Sequence, residues 1–139
     1  MSKLQVEIVT PHGVFYSQEL YLVNLPGIYG EFGVMQGHDA ILVGLSAGLV
    51  TIYDDKMEAK EHIFITGGFV EVTEELATVL VEEAEYLKNY NLKDVANNLS
   101  ELKSNLEHVE DEMQKIKLQK EIQVAEKLIE ILNILKANS

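Results

Sequence analysis

Apolar and polar residues alternate in short runs through the first part of the chain, residues 1–87. Near the start, Leu4, Val6 and Ile8 alternate with polar residues, which is the period of a strand with one buried face. Short runs of the same kind recur and are separated by turn sequences such as Thr10–Gly13. Short strands joined by tight turns predict an antiparallel β-sandwich or barrel.

Two pairs of these runs are arranged as hairpins. The segments "GLVTIYD" and "EHIFITGG" flank the polar turn Asp54–Met57, and "FVEVT" and "LATVLVEEA" flank Glu74–Glu75. Between the first turn and Pro26, the segment "VFYSQELYLVNLP" predicts one or two further strands.

After residue 87 the hydrophobic period becomes helical. Asn91 is the predicted N-cap, and Asp94 lies in the first turn, where the helix dipole favours an acid. Two apolar faces follow at helical spacing: Leu92, Val95, Leu99, Leu102 and Leu106, and then Leu118, Ile122, Ala125, Leu128, Leu132 and Leu135.

The polar stretch "SNLEHVEDEMQ" separates the two apolar faces. A helical hairpin is the first interpretation, with Asn105 as a possible cap of the second helix. One continuous helix is the alternative, because the stretch contains neither glycine nor proline. The predicted fold is therefore α+β by segment: an antiparallel β-sandwich followed by an α-helical hairpin.

Composition changes at the same place along the chain. All nine glycines and both prolines precede residue 69. Residues 1–87 contain 3 Lys and 14 acidic residues, a net charge of −11, whereas residues 88–139 contain 8 Lys and 9 acidic residues, a net charge of −1. We therefore expect two domains, 1–87 and 88–139.

Charge and composition exclude several classes of function. The chain has no cysteine, so thiolate metal sites and disulfides are impossible. With a net charge of −12 and no arginine, it is poorly suited to nucleic acid, whose binding depends on neutralising phosphates. No stretch approaches the ~20 apolar residues that span a bilayer, so we expect no direct membrane insertion.

The stretch "GIYGEFGVMQGHDA" (residues 27–40) is the most obvious candidate for chemistry. Its glycine spacing matches neither a dinucleotide-binding nor a P-loop motif, so turns and close packing explain the glycines better. His38 and Asp39 are sequence neighbours that would point in opposite directions on an extended chain. The four histidines show no paired ligand spacing, so we expect neither a catalytic nor a metal site.

Two charged segments remain. The carboxylates of Val81–Tyr86 are interpreted as a solvated acidic edge rather than an acid–base pair. The last helix carries Lys115, Lys117, Lys120 and Lys127, which form either a solvated face or a surface that docks against an acidic partner.

The blocks "LPG..GEFGV..GH" and "GGF.EV", in this order and spacing, resemble the epsilon subunit of F-type ATP synthase over residues 3–87. The resemblance implies a β-sandwich of about ten strands and a C-terminal helix-loop-helix. It implies a non-catalytic rotor subunit in the central stalk, a peripheral protein on the cytoplasmic face of the bacterial cell membrane. The implied partners are the gamma subunit, the c-ring and the alpha/beta catalytic head.

The resemblance also implies roles for particular residues. A loop containing Glu31, Phe32, Gly33 and Val34 would face the c-ring, and His38 would lie near gamma. The lysines of the last helix could dock on the catalytic subunits when a mobile C-terminal arm inhibits ATP hydrolysis.

The chain departs from the family pattern at two places. Ala40 stands where many members have proline. Asn91 and Asp94 stand where nucleotide-binding members have Asp and Arg, and an acid in place of a phosphate-facing Arg would repel ATP. We therefore expect no cofactor and no useful affinity for ATP.

Two other functions remain as alternatives. One is a free-standing β-domain that binds a small molecule and dimerises through its helical tail. The other is an enzyme that uses His38 and a carboxylate.

Overall fold

The structure is a computed structural model that describes residues 2–137, with side chains as far as Leu135. The chain divides into two compact units, Met1–Leu87 and Lys88–Ser139. The first unit is a β-sandwich of ten strands, a short 3-10 helix follows at Leu87–Asn89, and the second unit contains two α-helices.

The ten strands are β1 Leu4–Thr10, β2 Gly13–Leu20, β3 Leu22–Gly27, β4 Gly30–Val34, β5 Ile41–Leu45, β6 Gly48–Tyr53, β7 Ala59–Ile65, β8 Gly68–Val72, β9 Leu76–Val81 and β10 Ala84–Tyr86. Seven of the ten strands lie at the segments that the alternation predicted, and the other three (β4, β5 and β10) were not predicted. The predicted turns at Thr10–Gly13, Asp54–Met57 and Glu74–Glu75 all lie between consecutive strands. The "VFYSQELYLVNLP" segment forms two strands, which are interrupted at Tyr21.

The strands pair in the order β10-β7-β6-β3-β5-β8-β9-β1-β2, with β4 attached to β3. Every pair is antiparallel except β1 and β9, which run parallel from Gln5↔Leu76 to Val9↔Leu80. The sequence analysis did not predict a parallel pair because no crossover helix is present. The chain instead reaches β9 by way of the six strands β3 to β8.

The inward positions of the strands form one apolar core. An aromatic contact joins the two ends of the strand order, because the rings of Phe15 on β2 and Tyr86 on β10 lie 5.1 Å apart. The pKa of Tyr16, the residue after Phe15 on β2, is raised above its ordinary value. The main cause is burial, and the nearby Tyr86 and Glu61 add to it. The fully buried residues include Leu4, Val6, Ile8, Val23, Leu25, Val34, Val50, Ile52, Ile63, Ile65, Val70, Val72, Ala77 and Val79.

One hairpin is closed by an acid. The carboxylate Oδ1 of Asp54 accepts hydrogen bonds from the backbone N–H of Lys56 at 2.9 Å and of Glu58 at 3.0 Å. The hydrogen bond from Glu58 is the main reason why the pKa of Asp54 lies below its ordinary value. Asp54 therefore stabilises the β6–β7 turn in its ionised form.

The second unit is a helical hairpin of α1 (Leu92–His108) and α2 (Glu112–Ala137), which pack against each other. Asn91 caps α1 as predicted, because its side-chain oxygen accepts from the N–H groups of Lys93 and Asp94. The predicted apolar positions of both helices are all buried or half-buried.

The prediction that Asn105 caps the second helix is wrong. Asn105 lies inside α1, which continues to His108 because no residue between 92 and 108 breaks a helix. The chain turns at Val109, whose backbone is extended, and Asp111 accepts from the N–H of Gln114 at 3.3 Å ahead of α2.

Candidate interaction surfaces

An exposed row of apolar side chains crosses the outer face of the sandwich. The strand register pairs Phe69 on β8 with Leu80 on β9, Leu80 with Val9 on β1, and Val9 with Val14 on β2. Phe69 is 58%, Leu80 46% and Val14 62% exposed, whereas Val9 is half-buried. We call these four residues the apolar row. Side chains directly opposite on neighbouring strands touch, so the row is one continuous patch.

The β3–β4 hairpin extends this row at one end. The N–H of Ile28 donates to the carbonyl of Gly44, which is the register partner of Phe69, at 3.0 Å. The Ile28 side chain covers Gly44, where an added Cβ would lie 3.3 Å from Ile28 Cδ1. Tyr29 at the hairpin tip is 97% exposed. Contiguous exposed apolar side chains of this kind are typical of interaction sites.

The predicted residues Glu31, Phe32, Gly33 and Val34 lie in strand β4 rather than in a loop. The loop is the two-residue tip, Ile28–Tyr29, because Gly27 pairs with Gly30 and closes the hairpin. Val34 is fully buried and belongs to the core, so it cannot contact a partner directly. Glu31 is exposed, and its Oε2 accepts from the Asn24 amide at 3.5 Å.

His38 lies in the connection between β4 and β5. The backbone N–H of the preceding residue, Gly37, donates a hydrogen bond to the carbonyl of Glu74 in the β8–β9 turn. Nδ1 of His38 donates to the backbone carbonyl of Asp39 at 2.7 Å. Because the ring bonds the backbone and not the carboxylate of Asp39, the pair has no dyad geometry, as the sequence analysis expected. His38 is half-buried and lies at the opposite end of β8 from Phe69.

The acids of Val81–Tyr86 do not converge on a common point. Glu82 and Glu83 are exposed, and the N–H of Glu83 bonds the Thr66 hydroxyl at 3.3 Å. The carboxylate of Glu85 accepts from the N–H of Tyr86 at 2.8 Å. Across the described part of the chain, no group of three or more His, Asp or Glu residues is arranged to hold a metal ion.

The four α2 lysines that were considered as a docking surface fall into two classes. Lys115 pairs with Glu112 at 3.5 Å, and Lys127 pairs with Glu130 at 3.7 Å, both within the helix. Lys117 and Lys120 are exposed, and neither forms an ion pair with any described residue. At helical spacing they share a face with the exposed side chains of Met113 and Ile116. This face combines two free cations with exposed apolar surface.

Comparison with known proteins identifies the family. Residues 3–87 match the family model of the ATP synthase, Delta/Epsilon chain, beta-sandwich domain. The chain belongs to this family. The epsilon-family chain is 40% identical over 111 residues to the ATP synthase epsilon chain of Sulfurimonas denitrificans, covering 80% of this chain and 85% of the relative. It is 34% identical to the epsilon chain of Rhodospirillum centenum, covering 81% and 80%.

Solved structures support the fold of this epsilon-family chain. It resembles a chain of the Euglena gracilis mitochondrial ATP synthase with a TM-score of 0.78 at 19% identity, covering 95% of this chain and 82% of that one. It resembles a chain of the Tetrahymena thermophila central stalk and c-ring structure with a TM-score of 0.62 at 17% identity, covering 93% and 96%. Among the described residues, neither helix is apolar enough over its length to cross a membrane.

The sequence analysis identified the family correctly but missed the apolar row. The signal was present in the alternation of the strands. Phe69, Leu80 and Val9 occupy the outward positions of segments whose inward residues form the core. What the sequence could not supply was the order of the strands, which places these three residues side by side.

Proposed function

We propose that the chain is a non-catalytic rotor subunit in the central stalk of an F-type ATP synthase. There it couples ion translocation to ATP synthesis, as a peripheral protein on the cytoplasmic face of a bacterial cell membrane. Membership of the epsilon family supports this proposal. The observation that carries it is the apolar row, because contiguous exposed apolar side chains on a protein surface are typical of a site that binds a partner.

The gamma subunit is the proposed partner of the apolar row. Phe69 and Leu80 are the exposed centre of this patch, and the few residues that dominate the energy of a protein interface cluster near its centre. The β3–β4 hairpin tip, with Tyr29 and the adjacent Glu31, is the proposed contact with the c-ring.

Binding of purified gamma to the full chain tests this assignment. Phe69→Ser with Leu80→Ser should raise the Kd for gamma by about 30-fold or more, the effect typical of interface hot spots. Met57→Ser, which alters an exposed apolar residue in the β6–β7 turn, is the matched control and should leave the Kd unchanged. Equal affinity of all three proteins would reject the apolar row as the gamma contact.

The helical hairpin is the proposed inhibitory arm. Its free cations, Lys117 and Lys120, would dock against acidic surface of the alpha/beta head and restrain ATP hydrolysis. We expect Lys117→Gln with Lys120→Gln, in the assembled enzyme, to raise ATP hydrolysis. The control, Lys115→Gln with Lys127→Gln, changes lysines whose charges are already paired within the helix and should have less effect. If the two double variants behave alike, the unpaired face is not the docking site.

We further propose that this subunit does not bind ATP. The Asn91 side chain is already engaged with the first turn of α1, and Asp94 places negative charge where a phosphate-facing Arg would be needed. Saturable ATP binding at or below about millimolar concentration in calorimetry would contradict this proposal.

A further inference from the structure

We infer that the protein surface that covers the apolar row presents two basic side chains about 10 Å apart, which face Glu7 and Glu71. This inference rests on the proposed contact with gamma. Beyond that contact, it specifies the charge of the surface on the partner and the distance between its two cations.

The two acids flank the apolar row at a defined distance. Glu71 on β8 pairs with Thr78 on β9, and Thr78 pairs with Glu7 on β1. Glu71 and Glu7 are therefore two strands apart, which at the usual strand spacing is about 10 Å. Glu71 follows Phe69, and Glu7 precedes Val9, by two residues on the same strand. Each acid therefore points to the same face as the apolar row and lies about 7 Å along the strand from that neighbour.

Nothing within the described part of the chain neutralises these carboxylates. Strands β1, β2, β5, β8 and β9 contain three acids (Glu7, Glu19 and Glu71) and no lysine. The described ion pairs involve neither Glu7 nor Glu71. Covering carboxylates with a neutral surface costs their hydration without replacement, so a stable interface needs cations opposite them.

The same charges exclude a second copy of this chain as the occupant of the patch. Two such faces would bring like charges together, in a unit whose 3 Lys and 14 acidic residues give a net charge of −11. Like charges across an interface are strongly unfavourable. The occupant is therefore a different protein, with an apolar centre and a pair of Lys or Arg residues beside it.

The test measures the affinity of the full chain for purified gamma as a function of salt. Glu7→Gln with Glu71→Gln keeps the side-chain shape and removes both charges. We expect its Kd to exceed that of the unmodified chain by about tenfold at 0.1 M NaCl, and the difference to disappear near 1 M, where the Debye length falls to about 3 Å. The control is Asp55→Asn with Glu58→Gln in the exposed β6–β7 turn, which removes the same charge from another site.

The outcomes separate this inference from the proposed function. If the unmodified chain does not bind gamma, the proposed function fails. If it binds and the Glu7/Glu71 variant has the affinity and salt dependence of the control, the inference is overturned and the gamma contact stands. Dimerisation of the unmodified chain through this face, detected by sedimentation and abolished by Phe69→Ser, would also overturn it. Glu7→Lys with Glu71→Lys should weaken gamma binding beyond the Gln variant, and equal binding would count against the inference.

Discussion

Gly68 is the position in the sandwich where a single methyl group should do most damage. Its φ is +152°, a backbone conformation that residues with a side chain rarely adopt. A Cβ placed there would lie 2.0 Å from the backbone carbonyl oxygen of Leu80 on the neighbouring strand β9. Because the nearest atom is backbone, a side-chain rotation cannot relieve the clash.

Gly68→Ala should lower the free energy of unfolding in two ways, through lost hydrogen bonds and through backbone strain. Restoring the shortest acceptable separation of 3.0 Å requires the strands to move apart by about 1 Å. That movement would lengthen the nearest β8–β9 hydrogen bonds beyond bonding distance, at about 0.5–1.5 kcal/mol each. The backbone strain adds about 1–3 kcal/mol. With two hydrogen bonds lost, we expect the free energy of unfolding to fall by about 2–6 kcal/mol.

The matched control is Gly13→Ala. Gly13 has a φ of +120°, but an added Cβ there would meet no atom within 4 Å, so only the strain applies. Guanidinium unfolding followed by tyrosine fluorescence is a suitable assay, because five of the six tyrosines lie in residues 1–87. Gly68→Ala should be the less stable of the two by about 1–3 kcal/mol, the contribution of the lost hydrogen bonds. Equal stabilities would show that the close approach to Leu80 does not limit substitution.

Three further predictions concern caps and ionisation. Asn91→Ala should destabilise α1 by about 1 kcal/mol in thermal unfolding followed by circular dichroism. The control Asn105→Ala, inside the helix, should cause no loss of stability. Equal losses would refute the cap assignment. The lowered pKa of Asp54 contributes stability that is present above its unfolded pKa and is lost as the pH falls. Asp54→Asn should therefore reduce the acid dependence of the free energy of unfolding below about pH 4. An unchanged acid titration would contradict this. The raised pKa of Tyr16 contributes stability that is present below the unfolded pKa and is lost above about pH 10. Tyr16→Phe should therefore lose less stability than the unmodified chain in an alkaline titration, and an equal loss would refute this prediction.

Local patterns predicted much of the fold because local forces determine those parts. Period-two alternation identified seven of the ten strands, β1 to β3 and β6 to β9, and helical spacing identified the buried faces of α1 and α2. The Asn91 cap was predictable because a capping side chain bonds the backbone only two or three residues away. The parallel pairing of β1 with β9 was not, because it depends on how distant segments meet.

The interaction surface was predicted less well for the same reason. Motif resemblance directed attention to Glu31 and His38, but it could not show that Val34 is buried or that Ile28–Tyr29 forms the exposed tip. Nor could it distinguish Lys117 from Lys115, since that difference depends on the side chains that each lysine meets on the helix surface. These distinctions require the neighbours in space, which a single strand or helix does not reveal.

The parallel pairing of β1 and β9 also bears on how the chain folds during synthesis. Gln5 and Leu76 are register partners, 71 positions apart in the sequence (76 − 5). Until β9 has left the ribosome, β1 has only β2 as a strand neighbour, and an isolated two-stranded hairpin is marginally stable. The rate-limiting step should therefore be a long-range strand docking, as expected for β-rich proteins of high contact order. The helical hairpin, whose contacts are local, should form quickly once it emerges.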